Sequence, residues 1–160
     1  MTRVALIGLG EVGRVFAEDL RAQGVTDISA WDTAFGDDAS RASRNARDLG
    51  LVPAGSAAEA VAGATLVVSA VTAMNCVPAA SSAVAGLESG AWFFDLNSSS
   101  PGHKSEAAGL VDGAGGRYVE AALMSPIEPR RLAAPFLLGG PHAAAFGEAA
   151  AGYGLVGATV

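Results

Sequence analysis

Cysteine and lysine are almost missing from this chain of 160 residues, which carries one of each, Cys76 and Lys104. A single cysteine excludes an internal disulfide, so burial has to hold the fold together, and the usage suits a reducing compartment. No base lies near Cys76 in sequence, and it reads as a small buried apolar residue rather than a nucleophile. Basic runs are missing too. The net charge is −6, and Arg41, Arg44 and Arg47 recur at helical spacing as one solvated face, so nucleic acid is not an expected partner. No uninterrupted apolar run reaches the roughly 20 residues that cross a bilayer. The N-terminus enters a strand-like run without the basic region and separate apolar core of a signal peptide. A soluble, cytoplasmic protein with no membrane partner is expected, and no metal is expected.

Apolar residues (51%) and glycine (21 residues) are what the chain has in quantity. That is ample core for one domain, residues 1–160. The informative glycines follow the apolar run Val4-Ala5-Leu6-Ile7, in Gly8-Leu9-Gly10-Glu11-Val12-Gly13. Their roles differ. Gly8 turns the chain out of a strand, Gly10 lets the backbone approach a pyrophosphate, and Gly13 lets the following helix lie close to the strand. The helix start then presents N–H groups and the positive end of its dipole to an anion. Val12, Val15, Phe16 and Leu20 recur at helical spacing, which buries one face of that helix.

A second apolar segment, Ile28-Ser29-Ala30-Trp31, ends at Asp32, roughly 20 residues beyond the turn, where a carboxylate accepts hydrogen bonds from ribose hydroxyls and repels a 2′-phosphate. The expected cofactor is therefore NAD, with NADP left open because Arg41 or Arg44 could fold back toward a 2′-phosphate. Glycines serving only a tight turn, with Asp32 merely solvated, is the competing reading.

Strand-like and helix-like segments alternate to the end of the chain, the pattern of an α/β fold with a parallel sheet covered on both faces. Residues 37–50 read as an exposed helix closed by a glycine C-cap, Leu51-Val52 as a very short strand, and Ser56 to Glu59 as a capping box before a short helix. Thr65 to Ala70 is a buried strand. Thr72 and Asn75 after its carboxyl end are placed to line a cofactor cleft and are equally suited to turn and capping chemistry. The strand 91–96 runs into Asn97-Ser98-Ser99-Ser100-Pro101, where Ser100 caps a helix that Pro101 opens. The same geometry offers hydroxyls and N–H groups to a carboxylate. Strands are also expected at 117–122 and 135–140, separated by an excursion that Pro126 and Pro129 force. An alanine-rich helix opens at Pro141 and His142. His103 and His142 read as surface or capping residues. Leu155 to Val160 begins like another strand and stops, as if cut from a larger protein.

Taken together, Gly8 to Gly13, Asp95-Leu96-Asn97-Ser98-Ser99-Ser100-Pro101 and Tyr118-Val119-Glu120-Ala121-Ala122 resemble the β-hydroxyacid dehydrogenases, the group of 3-hydroxyisobutyrate dehydrogenases and proteins similar to 6-phosphogluconate dehydrogenase. The serine-proline loop is the specific part. The resemblance implies a Rossmann-type doubly wound, mostly parallel sheet, NAD(P)-linked hydride transfer to or from a small hydroxyacid, and substrate contact by Asn97, Ser98 and Ser99. It also implies a lysine on a later helix as acid/base and an all-helical second domain, both beyond Val160, through which a homo-oligomer could form. Lys104, just after the serine loop, is not assigned that role, and the 160 residues alone are expected to be inactive. Where many members carry Pro-Val-Ser-Gly-Gly, this chain has Ala122-Leu123-Met124-Ser125-Pro126, closer to the branch similar to phosphogluconate dehydrogenase. A noncatalytic NAD(H)-binding module is the main alternative. The serine-proline loop argues against a ketopantoate or pyrroline reductase.

Overall fold

The computed structural model describes residues 2–160. Its strands are β1 (Arg3–Ile7), β2 (Asp27–Trp31), β3 (Leu66–Ser69), β4 (Trp92–Asp95), β5 (Arg117–Leu123), β6 (Phe136–Gly139) and β7 (Ala158–Thr159). The helices are α1 (Glu11–Ala22), α2 (Arg41–Leu49), α3 (Ala57–Val61), α4 (Cys76–Ala83), α5 (Pro101–Gly113) and α6 (Ala143–Ala150). One sheet runs in the order β2-β1-β3-β4-β5-β6-β7, with β1 to β5 parallel, β6 antiparallel to β5, and β7 parallel to β6. It is a Rossmann-like α/β sheet.

Alternation along the strands builds two cores. Val4, Leu6, Val68, Phe94 and Val119 face α1, α2 and α6, where Phe16, Ala46 and Phe146 meet them. Ala5, Ile7, Val67, Phe93 and Tyr118 face α3, α4 and α5. Residues of both parities are buried, which is why the strands read as unbroken apolar runs. Aromatic edges close the first core, with the Phe94 and Phe146 ring centroids 5.0 Å apart.

Local signals set most boundaries. Ser40 accepts from Ser43 N–H at the start of α2, and Gly50 ends it in the left-handed region at φ 61. Ser56 caps α3, but Glu59 reaches back to Gly55 N–H rather than to the cap residue itself. Ser100 caps α5, and Pro101 occupies its first turn.

Two expectations need correction. Leu51-Val52 is not a strand: only a single bridge, Ala30 to Pro53, extends the sheet beyond β2, because Val52 is exposed and Pro53 cannot donate to a ladder. The helix α2 is also not simply exposed. Ala42, Ser43, Asn45 and Ala46 form a buried face, supplied by residues too small or too polar to register as an apolar stripe. The final segment contributes only a two-residue strand on the edge of β6. Among the described residues, no helix is long and apolar enough to cross a membrane.

Candidate functional site

The strand order reverses at β1, whose neighbours are β2 on one side and β3 on the other, and the chain leaves the carboxyl ends of these strands as loops that splay apart. Ligands collect at such switch points. Here the gap is a cleft of about 680 Å³ that includes Gly8, Gly10, Trp31, Asp32, Thr72 and Leu123 in its lining.

The three glycines differ in what surrounds them. Gly8 has φ +94, and a Cβ there would sit 2.2 Å from Ala70 O, so both its backbone conformation and the chain just beyond β3 require glycine. At Gly13 an added Cβ would lie 2.2 Å from Gly8 O, the close approach of helix to turn. Gly10 is different: among the described residues, no atom lies within 4 Å of a Cβ built on it. The space over Gly10 opens to the cleft and accommodates a group wider than a methyl. Gly10 is also the N-cap of α1 and supplies no side-chain cap, which leaves the first-turn N–H groups for a ligand. A dinucleotide pyrophosphate suits this cradle.

Asp32 stands at the end of β2. Its Oδ2 accepts from Leu9 N–H at 2.9 Å and its Oδ1 from Ala34 N–H at 2.9 Å, so the carboxylate ties the glycine turn to its own loop. Each oxygen keeps a lone pair for a ribose hydroxyl. Leu9 is otherwise turned into the core and fully buried, while Glu11 and Val12 join the lining. Among the described residues, Glu11 and Asp32 are the only charged ones in that lining. Arg44 and Arg47 bond the carbonyls of Ala39 and Asp38 just ahead of α2.

On the opposite wall, Asn75 donates to Thr72 Oγ1 at 2.8 Å, and both residues line the cleft along with Val71, Pro78, Ala79 and Ser82. The serine loop adjoins this wall. Ser99 Oγ donates to Ala73 O at 3.1 Å and lies 3.1 Å from His103 Nδ1, and Ser98 is exposed. Asn97 is placed differently from the two serines. Only 2% exposed, its side chain turns inward, with Nδ2 donating to Ser69 Oγ at 3.0 Å and Oδ1 accepting from Val71 N–H at 2.7 Å. It pins the loop to β3.

Beneath the loop lies a polar node centred on Asp95, which is fully buried. Its carboxylate accepts from Tyr118 Oη at 2.5 Å, from Asn97 N–H at 2.8 Å and from Cys76 Sγ at 3.3 Å. Lys104 Nζ sits 3.1 Å from Asp95 Oδ1 and donates to Asp95 O. The chain's one lysine is thus spent on a buried ion pair. Burial, and then the Asp95 charge, push the Cys76 thiol up to about 11 and the Tyr118 phenol well above its usual range. A thiol whose folded-state value is raised contributes stability that is present below its ordinary value near 9 and lost as pH climbs from there to about 11. Cys76 should therefore resist alkylation by iodoacetamide at pH 8 in the folded protein and react once the chain is unfolded in denaturant. Rapid labelling of the folded chain would contradict this environment.

The excursion between β5 and β6 is fastened to α1. Arg131, at φ 54, donates to Asp19 Oδ1, Glu18 Oε2 and Glu128 Oε1, each at 2.7 Å. Its guanidinium, then that of Arg14, holds the Glu18 carboxyl below its usual range. This fixes the path of the chain beyond Leu123, which lines the cleft. His142 Nε2 lies 3.5 Å from Asp112 Oδ1, a carboxylate that its sequence neighbours do not disclose.

Several cleft residues give little sign of themselves in the sequence. Trp31 reads there as the end of a strand and Leu123 as a variable position, yet both line the cleft. An aromatic residue at a strand's carboxyl end beside an acidic one is a usable signal for the former. Asn45, which touches the glycine turn, carries no local signal.

Residues 3–150 match the family model described as the NAD binding domain of 6-phosphogluconate dehydrogenase. Among curated proteins, none matches. A solved structure of a conserved hypothetical protein from Sinorhizobium meliloti 1021 is 32% identical, with a TM-score of 0.84 over 97% of this chain and 52% of that one. A conserved protein of unknown function, reported as structurally similar to 3-hydroxyacid dehydrogenases, is 27% identical with a TM-score of 0.76 over 96% of this chain and 55% of its own. The 3-hydroxyisobutyrate dehydrogenase of Mycobacterium tuberculosis, solved with L-serine, shares the fold at 21% identity, with a TM-score of 0.80 over 100% of this chain and 54% of that one. The chain spans about half the length of the solved structures it matches.

Proposed function

This chain belongs to the family of the NAD-binding domain of 6-phosphogluconate dehydrogenase, and from that premise we propose that residues 1–160 form the cofactor domain of an NAD-dependent oxidoreductase of the β-hydroxyacid dehydrogenase type. The nicotinamide, when bound, supplies the hydride chemistry. One observation carries the reading: the cleft joins an open glycine cradle at Gly10 to an anchored carboxylate at Asp32, with no cationic side chain among the described residues of its lining.

Each part of the site has its own role. Gly8, Gly10 and Gly13 shape the phosphate turn, and the uncapped start of α1 donates N–H groups to the pyrophosphate. Asp32 accepts from ribose hydroxyls. Val12, Leu96 and Leu123 exclude water from an apolar section of the cleft. Thr72 and Asn75 give that section a polar edge. Ser98 and Ser99 hold a substrate carboxylate, and Asn97 fixes their loop from below. The proton is handled by a group outside this set, since Lys104 is bound to Asp95 and proton transfer needs a partner within hydrogen-bond reach of the reacting oxygen. A small hydroxyacid is the substrate class that fits a hydroxyl-lined anion site beside a hydride donor.

That same use of Lys104 favours a second reading, a noncatalytic module that binds NAD(H). Turnover of 3-hydroxyisobutyrate by this chain, alone or supplemented with the remaining half of a homologous enzyme, would decide for the dehydrogenase.

The acidic lining also sets cofactor preference. Calorimetric titration should show NADH binding more tightly than NADPH by roughly 100-fold, because a 2′-phosphate would face the Asp32 carboxylate with no cation among the described residues of the cleft lining to offset it. Asp32→Ala should narrow the gap by weakening NADH and improving NADPH. Equal binding of the two nucleotides by the unaltered chain would remove Asp32 from the ribose site, and binding of neither would remove the cofactor reading.

A further inference from the structure

Only 5% exposed, Asn45 is among the few buried polar residues, and it reaches the glycine turn from α2, an element that takes no part in lining the cleft. Its Nδ2 donates to Leu9 O at 2.8 Å and to Gly10 O at 3.3 Å. Its Oδ1 accepts from Arg14 Nη1 at 3.0 Å. Arg14 is itself held by Glu18 Oε1 at 2.8 Å and Asp48 Oδ2 at 3.0 Å, and these carboxylates raise the basicity of its guanidinium. A permanently charged donor on Oδ1 leaves the amide one orientation, with its NH₂ toward the two carbonyls.

Peptide planarity gives this arrangement its consequence. In a trans peptide the C=O of one residue and the N–H of the next point in opposite directions. Drawing Leu9 O toward Asn45 therefore turns the Gly10 N–H the other way. Gly10 O is shared between Asn45 and Arg14 N–H, which donates to it at 3.0 Å as the first bond of α1, so that amide and helix together direct the Glu11 N–H. Gly10 and Glu11 are residues of the turn that line the cleft. Leu9 N–H is already taken by Asp32. The turn is thus held from both sides, by Asp32 through a donor and by Asn45 through two acceptors.

We infer that Asn45, oriented by Arg14, is a positioning residue for the pyrophosphate: it aims the N–H groups of Gly10 and Glu11 into the cleft without touching the cofactor. This rests on the reading of the cleft as a dinucleotide site. Its specific consequence is that losing the Asn45 amide weakens ligands through their phosphates and spares the part of the ligand held at Asp32.

The test compares ADP-ribose, which carries the pyrophosphate, with adenosine, which does not, by calorimetry on the whole chain and on Asn45→Leu, Asn45→Asp and Asn45→Ser, with a melting curve for each. ADP-ribose should bind roughly tenfold more weakly to Asn45→Leu, and more weakly still to Asn45→Asp, whose carboxylate would oppose two carbonyl oxygens. Asn45→Ser keeps one donor and should lie between the unaltered chain and Asn45→Leu; it decides the matter if the other two do not fold. Adenosine affinity should stay within about twofold throughout. Unchanged ADP-ribose binding in folded variants would overturn the inference, as would equal losses for the two ligands, which would mark Asn45 as a general support of the fold. Failure of the unaltered chain to bind either ligand would instead bring down the cofactor reading, and this inference with it.

Discussion

Replacing Gly10 by valine is expected to abolish NADH binding, with a loss of at least about 100-fold in affinity, while leaving the chain folded. The asymmetry follows from where an added side chain would go. Gly10 has φ −79, outside the left-handed region, and a Cβ there meets no atom of the described residues within 4 Å. The branched side chain would instead occupy the space over the turn that a pyrophosphate needs. Gly13→Val is the informative contrast: its Cβ would press on Gly8 O at 2.2 Å, so it should unfold or displace the helix rather than act on the ligand alone. Calorimetry with NADH and thermal melting of the two variants separate these effects. If Gly10→Val bound NADH as the unaltered chain does, the pyrophosphate would not pass over this turn.

The largest expected loss of stability comes from Asp95→Ala. Asp95 is fully buried, and its carboxylate is the shared acceptor for Tyr118, Cys76, the Asn97 N–H and the Lys104 ammonium. Removing it strands a buried cation and leaves three donors without their acceptor. Breaking a buried pair in this way costs about 3–5 kcal/mol, a large share of the roughly 5–15 kcal/mol that holds a domain together. Lys104→Met also leaves a buried charge, the Asp95 carboxylate, but should cost less because that charge keeps its other donors. It removes the cation itself, fills the space with a flexible apolar chain, and leaves Asp95 with three donors. Urea unfolding followed by circular dichroism measures both. Equal losses in the two variants would show that the ion pair, rather than the multiple acceptance by Asp95, dominates the node. The node underlies the serine loop through Asn97, so a folded Asp95 variant should also lose the order of residues 97–99, readable as faster amide exchange there.

Legibility in the sequence followed the range over which each interaction acts. The first strand, the glycine turn, the helix after it and Asp32 at the next strand's end could be read together because their chemistry is local: a strand apolar on both faces, a residue needing φ +94, a helix with one apolar side. Ser40, Ser56 and Ser100 announced helix starts for the same reason, since a cap acts on N–H groups within a turn of itself. Leu51-Val52 failed as a strand because strand formation depends on a partner edge. That edge is offered by β2 only at Ala30.

The sequence by itself thus determined the α/β alternation, the glycine turn and the carboxylate that ends the next strand, and the capped serine loop, all of them consequences of spacing and backbone chemistry along a short stretch. Tertiary structure alone decided the rest. It turned Asn97 inward to pin the loop and left Ser98 exposed, it buried the only lysine against Asp95, and it brought Asn45 and Arg14 against the glycine turn. All but the exposure of Ser98 pair a polar group with a partner on another element. Such pairs leave no periodicity in the chain, because what selects them is the cost of burying an unsatisfied donor or charge, and that cost exists only once the elements have packed.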